Sequence, residues 1–252
     1  LQLIGGEEAS PTDGSDLEMH DLTLLSKNAI LQVLRNGQHT PLDGVELVDV
    51  HTHQSIYEAD KPMDEVYFPI DAVISVVTTL ADGTSVEVGS IGSEGTTGIF
   101  AALGASTVPN ATFCQVDGKC FVMSRAIFER FLNSNARFRE ALNAFAVGYI
   151  NILAQLVACN RLHALDSRCA RWLLMTHDRV GRDTFPLTQE FLAMMLGVRR
   201  SGVTLAASAF SDAGFIKYAR GSMTILDRAG LEKETCECYA VERRQFRFPQ
   251  AP

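Results

Sequence analysis

The sequence predicts an α+β protein with a β-rich N-terminal half, one long helix and a compact helical C-terminal part. Three observations carry this reading. Short β-type runs recur between turn signals from Val45 to Ser124. A proline-free stretch from Asn135 to His163 keeps a regular apolar period. Beyond it, apolar helical segments are punctuated by Gly197 and followed by a basic hairpin pattern.

The chain has 252 residues, 46% of them hydrophobic, and a formal net charge of -8, which suits one large or two modest globular domains. No run approaches the roughly 18 to 20 consecutive apolar residues of a membrane span. The opening "LQLIGGEEASPTDGSDLEMH" lacks the basic flank and apolar region of a signal peptide, so residues 1–21 read as a flexible acidic leader of a cytoplasmic protein with no membrane partner. Charge is uneven along the chain. Residues 1–60 hold eleven acidic against two basic side chains, whereas 179–220 hold six basic (Arg179, Arg182, Arg199, Arg200, Lys217, Arg220) against three acidic (Asp183, Glu190, Asp212). The second stretch is the one suited to a polyanion.

Residues 22–134 read as the β-domain. The runs "VELVDVH", "EVYFP", "AVISVVTTL", "SVEVG", "ATFCQV" and "KCFVMS" are short strands, and Asp82-Gly83 in "LADGTS" signals a hairpin. Close spacing of such strands predicts an antiparallel jelly roll, a double-stranded β-helix.

Residues 135–163 read as one helix of roughly 43 Å at about 1.5 Å per residue. Phe138, Leu142, Phe145, Tyr149, Ile152, Leu156, Cys159 and His163 form a seam spaced alternately four and three. A second line, Ala146, Ile150, Leu153 and Val157, follows on a neighbouring face. A helix with two apolar faces needs two partners: its own β-domain and a symmetry mate in a homodimer. The narrow seam from Phe138 to Cys159 is assigned to the dimer interface.

Residues 164–240 predict a winged helix-turn-helix, with 241–252 as a tail. Asp166 or Ser167 caps a helix whose inward face is Ala170, Leu173, Leu174 and His177, and "RDTFP" ends it. Thr188 caps a short helix that buries Leu192 and Leu196, with Ala193 small enough for a close crossing. Gly197 supplies the turn, and a second helix from about Arg200 to Ala213 buries Val203, Ala206 and Phe210. Its polar face shows Arg200, Ser201, Thr204 and Ser208, with Arg199 at its start. Two arginines at a helix N-terminus oppose the macrodipole. They fit an opposite surface of phosphates and guanine edges. "GFIKYARGSMTIL" reads as strand, turn, strand: a wing offering Lys217 and Arg220 to a duplex backbone. The candidate DNA-binding residues are therefore Thr188, Gln189, Arg199, Arg200, Ser201, Thr204, Lys217 and Arg220, with double-stranded DNA as partner.

From residue 22 to 240, and most clearly from Arg161 onward, the order of parts and "LDSRCARWLLMTHDRV…PLTQEFLAMMLGVRRSGVTLAASAFSDAGFIKYARGSMTIL" resemble the CRP/FNR family of bacterial transcription regulators. The resemblance implies a sensor jelly roll, a two-helix dimer interface, a winged helix-turn-helix reading palindromic DNA and, for an activator, RNA polymerase as a further partner. It implies no enzymatic activity, and it puts Arg200 on the family's base-reading arginine. Ser201 replaces the family's usual acidic residue and Leu205 a second arginine. "IGSEGTTGIFAALGASTVPNATF" is similar to the family's nucleotide-binding segment, but Ile99 stands for its glutamate and Pro109 and Asn110 for its Arg-Ser pair. Apolar groups cannot neutralise a phosphate, so tight cAMP binding is not expected and the small-molecule effector is left open.

The six cysteines show no CxxC pair, and Cys236 and Cys238 in "CEC" are the one close pair. The expectation is free thiols, no metal and no cofactor. The leader has no cysteine for an iron–sulfur cluster. A competing pattern, His51, His53 and Glu58 in "HTHQSIYE", resembles a cupin metal motif and implies a metal-dependent cupin-like enzyme or sensor.

Overall fold

The computed structural model describes residues 23–35 and 42–246. The predicted leader 1–21 and the end of the predicted tail, 247–252, lie outside the described residues. A 3-10 turn, Leu25–Lys27, and a short helix α1, Gln32–Arg35, precede the strands.

Seven antiparallel strands follow: β1 Val45–Val50, β2 Ser55–Tyr57, β3 Glu65–Pro69, β4 Val73–Thr79, β5 Ser85–Ile91, β6 Ala111–Val116 and β7 Gly118–Ser124. They form two sheets, ordered β1-β7-β3 and β2-β6-β4-β5, whose inward residues share one core in the predicted jelly roll. The β4–β5 hairpin closes at Leu80 and Thr84, and Gly83 takes the left-handed conformation that Asp82-Gly83 announces. Strand β2 and the helix α2, Ile99–Ala102, are too short to show a period in the sequence.

Helix α3, Arg125–Ser134, leads into α4, Ala136–Leu162, which Asn135 caps by accepting from the Phe138 amide. Here the structure corrects the assignment of faces. Phe138, Leu142, Phe145, Tyr149 and Ile152 lie in the jelly-roll core, and Leu156 packs half-buried against it. Cys159 is buried against Cys236 and Cys238. Side chains used up inside the subunit cannot form the surface of a dimer. The physical reason is size: the gap between a helix and a sheet needs large side chains, and Phe145 fills the hollow that Gly95 leaves, where a Cβ would meet its ring at 2.0 Å. The exposed stripe of α4 instead carries Val147, Ile150, Ala154 and Val157. Among the described residues α4 is the one helix long and apolar enough to cross a membrane, and its inner face is taken by the β-domain.

Helix α5, Leu165–Val180, starts after Ala164, which has no capping side chain, so Asp166 lies in the first turn instead of acting as the cap. Its predicted inward face, Ala170, Leu173, Leu174 and His177, is buried. Strand β8, Thr184–Pro186, helix α6, Gln189–Leu196, helix α7, Arg200–Asp212, and strands β9, Ile216–Ala219, and β10, Ser222–Ile225, complete a winged helix-turn-helix with sheet order β8-β10-β9. Helices α8, Arg228–Glu234, and α9, Glu237–Gln245, are the last elements among the described residues, so the expected boundary at 240/241 falls inside a helix. The apolar core of this part is continuous with Val73, Val77 and Val116 of the four-stranded sheet.

Candidate nucleic-acid interface

Thr188 caps α6 as its side chain accepts from the Phe191 amide at 3.1 Å. Leu192, Ala193 and Leu196 are buried beneath α7, against Val203, Ala206 and Phe210. Gly197 ends α6 with φ +63, and a Cβ there would meet Val86 of β5 at 3.0 Å, so the turn favours glycine for conformation and for space. The Arg168 guanidinium donates to the Leu196 carbonyl at 2.6 Å and satisfies the end of α6.

The outer face of α7 presents Arg200, Ser201, Thr204, Leu205 and Ser208 to solvent. Arg199 occupies the N-cap position without a capping side chain. The Arg200 side chain is 66% exposed and lies 3.6 Å from Glu190 Oε2, a solvent-screened contact that leaves it free to reorient. Thr204 donates to Gln189 Oε1 at 2.8 Å, and the Gln189 amide donates to the Tyr218 hydroxyl at 3.2 Å. These two bonds tie α6, α7 and the wing together through Gln189 and Tyr218; sequence reading picked out Gln189 but not Tyr218.

The wing turn is two residues, Arg220 and Gly221, with φ +51 and +77. That is the primed hairpin geometry, which arginine adopts less readily than glycine or asparagine. A cation held at this tip alongside exposed Lys217 extends the positive surface of α7. Of the eight candidate residues, seven are exposed and Gln189 is half-buried. Arg179, counted in the sequence with the basic stretch, is buried between Glu94 and Glu242 and adds nothing to this surface.

The β-domain holds a cavity of about 50 Å³ lined by Tyr57, Val76, Thr97, Ile99, Asn110 and Tyr149, among other residues that include no lysine or arginine. Ile99 and Asn110 are the positions at which the resemblance puts a glutamate and a serine. Tyr57, Thr97 and Tyr149 were not singled out in the sequence, since they come together only through the sheet curvature. The cupin pattern is not assembled. His51 and His53 lie in the turn between β1 and β2 rather than on a strand, His53 has φ +70, and its ring packs 5.7 Å from that of Phe191.

The description of a Crp-like helix-turn-helix domain matches residues 167–234, and that of a cyclic nucleotide-binding domain matches residues 47–135, together more than half of the chain. No curated protein sequence matches it. Similar solved structures include FixK2 from Bradyrhizobium japonicum, 16% identical, with a TM-score of 0.64 over 76% of this chain and 98% of that one. A CRP-family transcriptional regulator from Thermus thermophilus is 18% identical with a TM-score of 0.62 over 74% and 95% of the two chains. A CRP/FNR-family regulator from the same organism is 16% identical with a TM-score of 0.55 over 75% and 97%. With both domain types matched in this order on the shared fold, the chain belongs to the CRP/FNR family and is a DNA-binding transcription regulator.

Proposed function

We propose that the protein binds a palindromic operator as a homodimer in the cytoplasm and acts by binding, not catalysis. In this reading α7 enters the major groove, Arg200 forks onto a guanine edge, and Ser201 and Thr204 contact neighbouring bases or phosphates. Thr188 and Gln189 at the start of α6, with Arg199, Lys217 and Arg220, hold the backbone. Two such units read half-sites about 34 Å apart, paired through the exposed stripe of α4. The observation that carries the reading is the solvent-facing side of α7, with Arg200 at its start and the basic wing tip beside it.

The lining of the β-domain cavity favours a small apolar effector over a cyclic nucleotide, because among the described residues no lysine or arginine lines it. RNA polymerase is the further partner if the regulator activates.

The operator is obtained by selection from random duplexes. On it Arg200→Ala is expected to cost about 1–3 kcal/mol, with little change on unrelated DNA. Lys217→Ala is expected to weaken both duplexes alike and to lower the salt slope by about one per subunit. Equal losses by the two variants on both duplexes would reject these roles.

A further inference from the structure

The last turn of α4 and the start of α9 bring four donor side chains together that the DNA-reading function does not use. Cys159 and His163 stand four residues apart and so share one face of the chain where α4 ends. Cys236 occupies the N-cap of α9 and Cys238 its first turn. One ligand atom from each of the four lies within 4.8 Å of every other. The Cys159 and Cys236 sulfurs are 3.6 Å apart, and the Cys238 sulfur is 3.5 Å from His163 Nδ1.

We propose that Cys159, His163, Cys236 and Cys238 form a structural zinc site that clamps the C-terminal helix to the end of the long helix.

Geometry supports a single ion. With Zn–S near 2.3 Å and Zn–N near 2.05 Å, a tetrahedron has S···S edges of about 3.8 Å and S···N edges of about 3.6 Å. The Cys159–Cys236 and Cys238–His163 separations match these edges, the others stay within 4.8 Å, and the sulfurs stand farther apart than in a disulfide, where they lie about 2.05 Å apart. Three thiolates with one imidazole suit a soft, four-coordinate ion and leave no open position.

The surroundings fit as well. His163 turns Nδ1 to the sulfurs while its Nε2 lies 3.4 Å from Glu237 Oε1, the outer carboxylate that fixes the tautomer of a ligating histidine. Gln155 donates its amide to the Cys238 sulfur at 3.1 Å. Arg171 lies beside Cys159, and its Nε is buried without a partner. A zinc ion with three thiolates carries a net negative charge, which this guanidinium opposes. Plain packing of small apolar thiols needs neither the histidine nor these polar neighbours.

The 252-residue chain, purified without an affinity tag or chelator, is expected to carry about one zinc per chain by elemental mass spectrometry. Cobalt(II) added to chelated protein is expected to give the intense visible bands of a tetrahedral ion and a near-ultraviolet thiolate charge-transfer band. Cys159→Ser and Cys238→Ser should lose the metal. Cys169→Ser, at a buried cysteine outside the cluster, should keep it. His163→Cys should retain the metal with shifted cobalt bands, a readout that loss of folding cannot imitate. Folded reduced wild-type protein with neither zinc nor cobalt bands would overturn the proposal, as would a Cys159–Cys236 disulfide in protein purified without oxygen or a sulfide-containing iron cluster in place of zinc.

Discussion

Arg179 is buried among hydrogen-bonding groups. Its Nε donates to Glu94 Oε1 at 2.9 Å, and its terminal nitrogens reach Glu242 Oε1, the Ser90 carbonyl and the Met175 carbonyl at 3.4 to 3.5 Å. Arg171 adds a contact to Glu242 Oε2 at 3.1 Å, so two guanidiniums face two carboxylates away from water. The set joins three separate parts, the glycine-rich segment of the β-domain through Glu94, α5 through the arginines and α9 through Glu242. Charges this deeply placed add little net stability when complete but are costly to break. Arg179→Met, which leaves both carboxylates short of a partner, is therefore expected to destabilise the protein by about 3–5 kcal/mol in urea unfolding. Adding Glu94→Gln should recover part of that loss. A strictly additive double variant would mean that the two residues do not act as a pair. In the sequence Arg179 looks like one more base of the 179–220 stretch, because its partners lie 85 and 63 residues away.

On the scale of one element, α4 shows what a period can and cannot tell. The helix itself was legible, its ends within a residue or two of those observed, because apolar spacing and the Asn135 cap act within a few positions. The seam from Phe138 to Leu156 was legible as a stripe but not the partner it meets, and of the second line only Ile150 and Val157 face outward, while Ala146 and Leu153 pack in the core. Phe138, Leu142, Phe145 and Tyr149 are bulky and fill the wide space over the sheet. Val147, Ile150, Ala154 and Val157 are small or β-branched and allow the 8–10 Å approach of two helices. Side-chain volume was the missing criterion. If the exposed stripe pairs two subunits, Ile150→Glu and Val157→Glu put carboxylates against their own symmetry copies, and sedimentation should show monomers that unfold at a similar denaturant concentration. Leu142→Ala should instead cost about 2–5 kcal/mol of stability by opening a cavity in the subunit core. Charged variants that stay dimeric would rule out this stripe as the contact. The helix-turn-helix was the most legible element, since Thr188 and Gly197 act on backbone groups within three or four residues. The cysteine cluster was the least, since Cys159 and Cys236 are 77 residues apart.

On the scale of the whole molecule, the helix-turn-helix rests on the outer face of the β-domain. The double-sided apolarity of "AVISVVTTL" marks β4 as covered on both faces but does not say by what. The cover is the DNA-binding half, through Trp172, Phe191 and the Gly197 turn over Val86. Strand β5 serves both sides, with Val88 and Ile91 lining the cavity and Val86 and Glu87 meeting the helices. Glu87 accepts from the Trp172 indole at 2.7 Å, and burial raises its pKa to about 7, although the Trp172 bond and the charges of Arg179 and Arg171 work the other way. The sign follows from that rise. The docked state holds a proton that the free carboxylate releases near its ordinary value of 4.5, so this contribution to docking is complete below that value and lost as pH rises through about 7. Trp172 is the only tryptophan, so its emission reports the contact directly. Between about pH 6 and 8 the emission should move toward that of a more solvated indole, the melting temperature should fall as pH rises from about 4.5 to about 7 and level off above, and Glu87→Gln should flatten both. A glutamine variant with the wild-type pH profile would place the titrating group elsewhere, and the seating of the DNA-binding half would then rest on its apolar contacts.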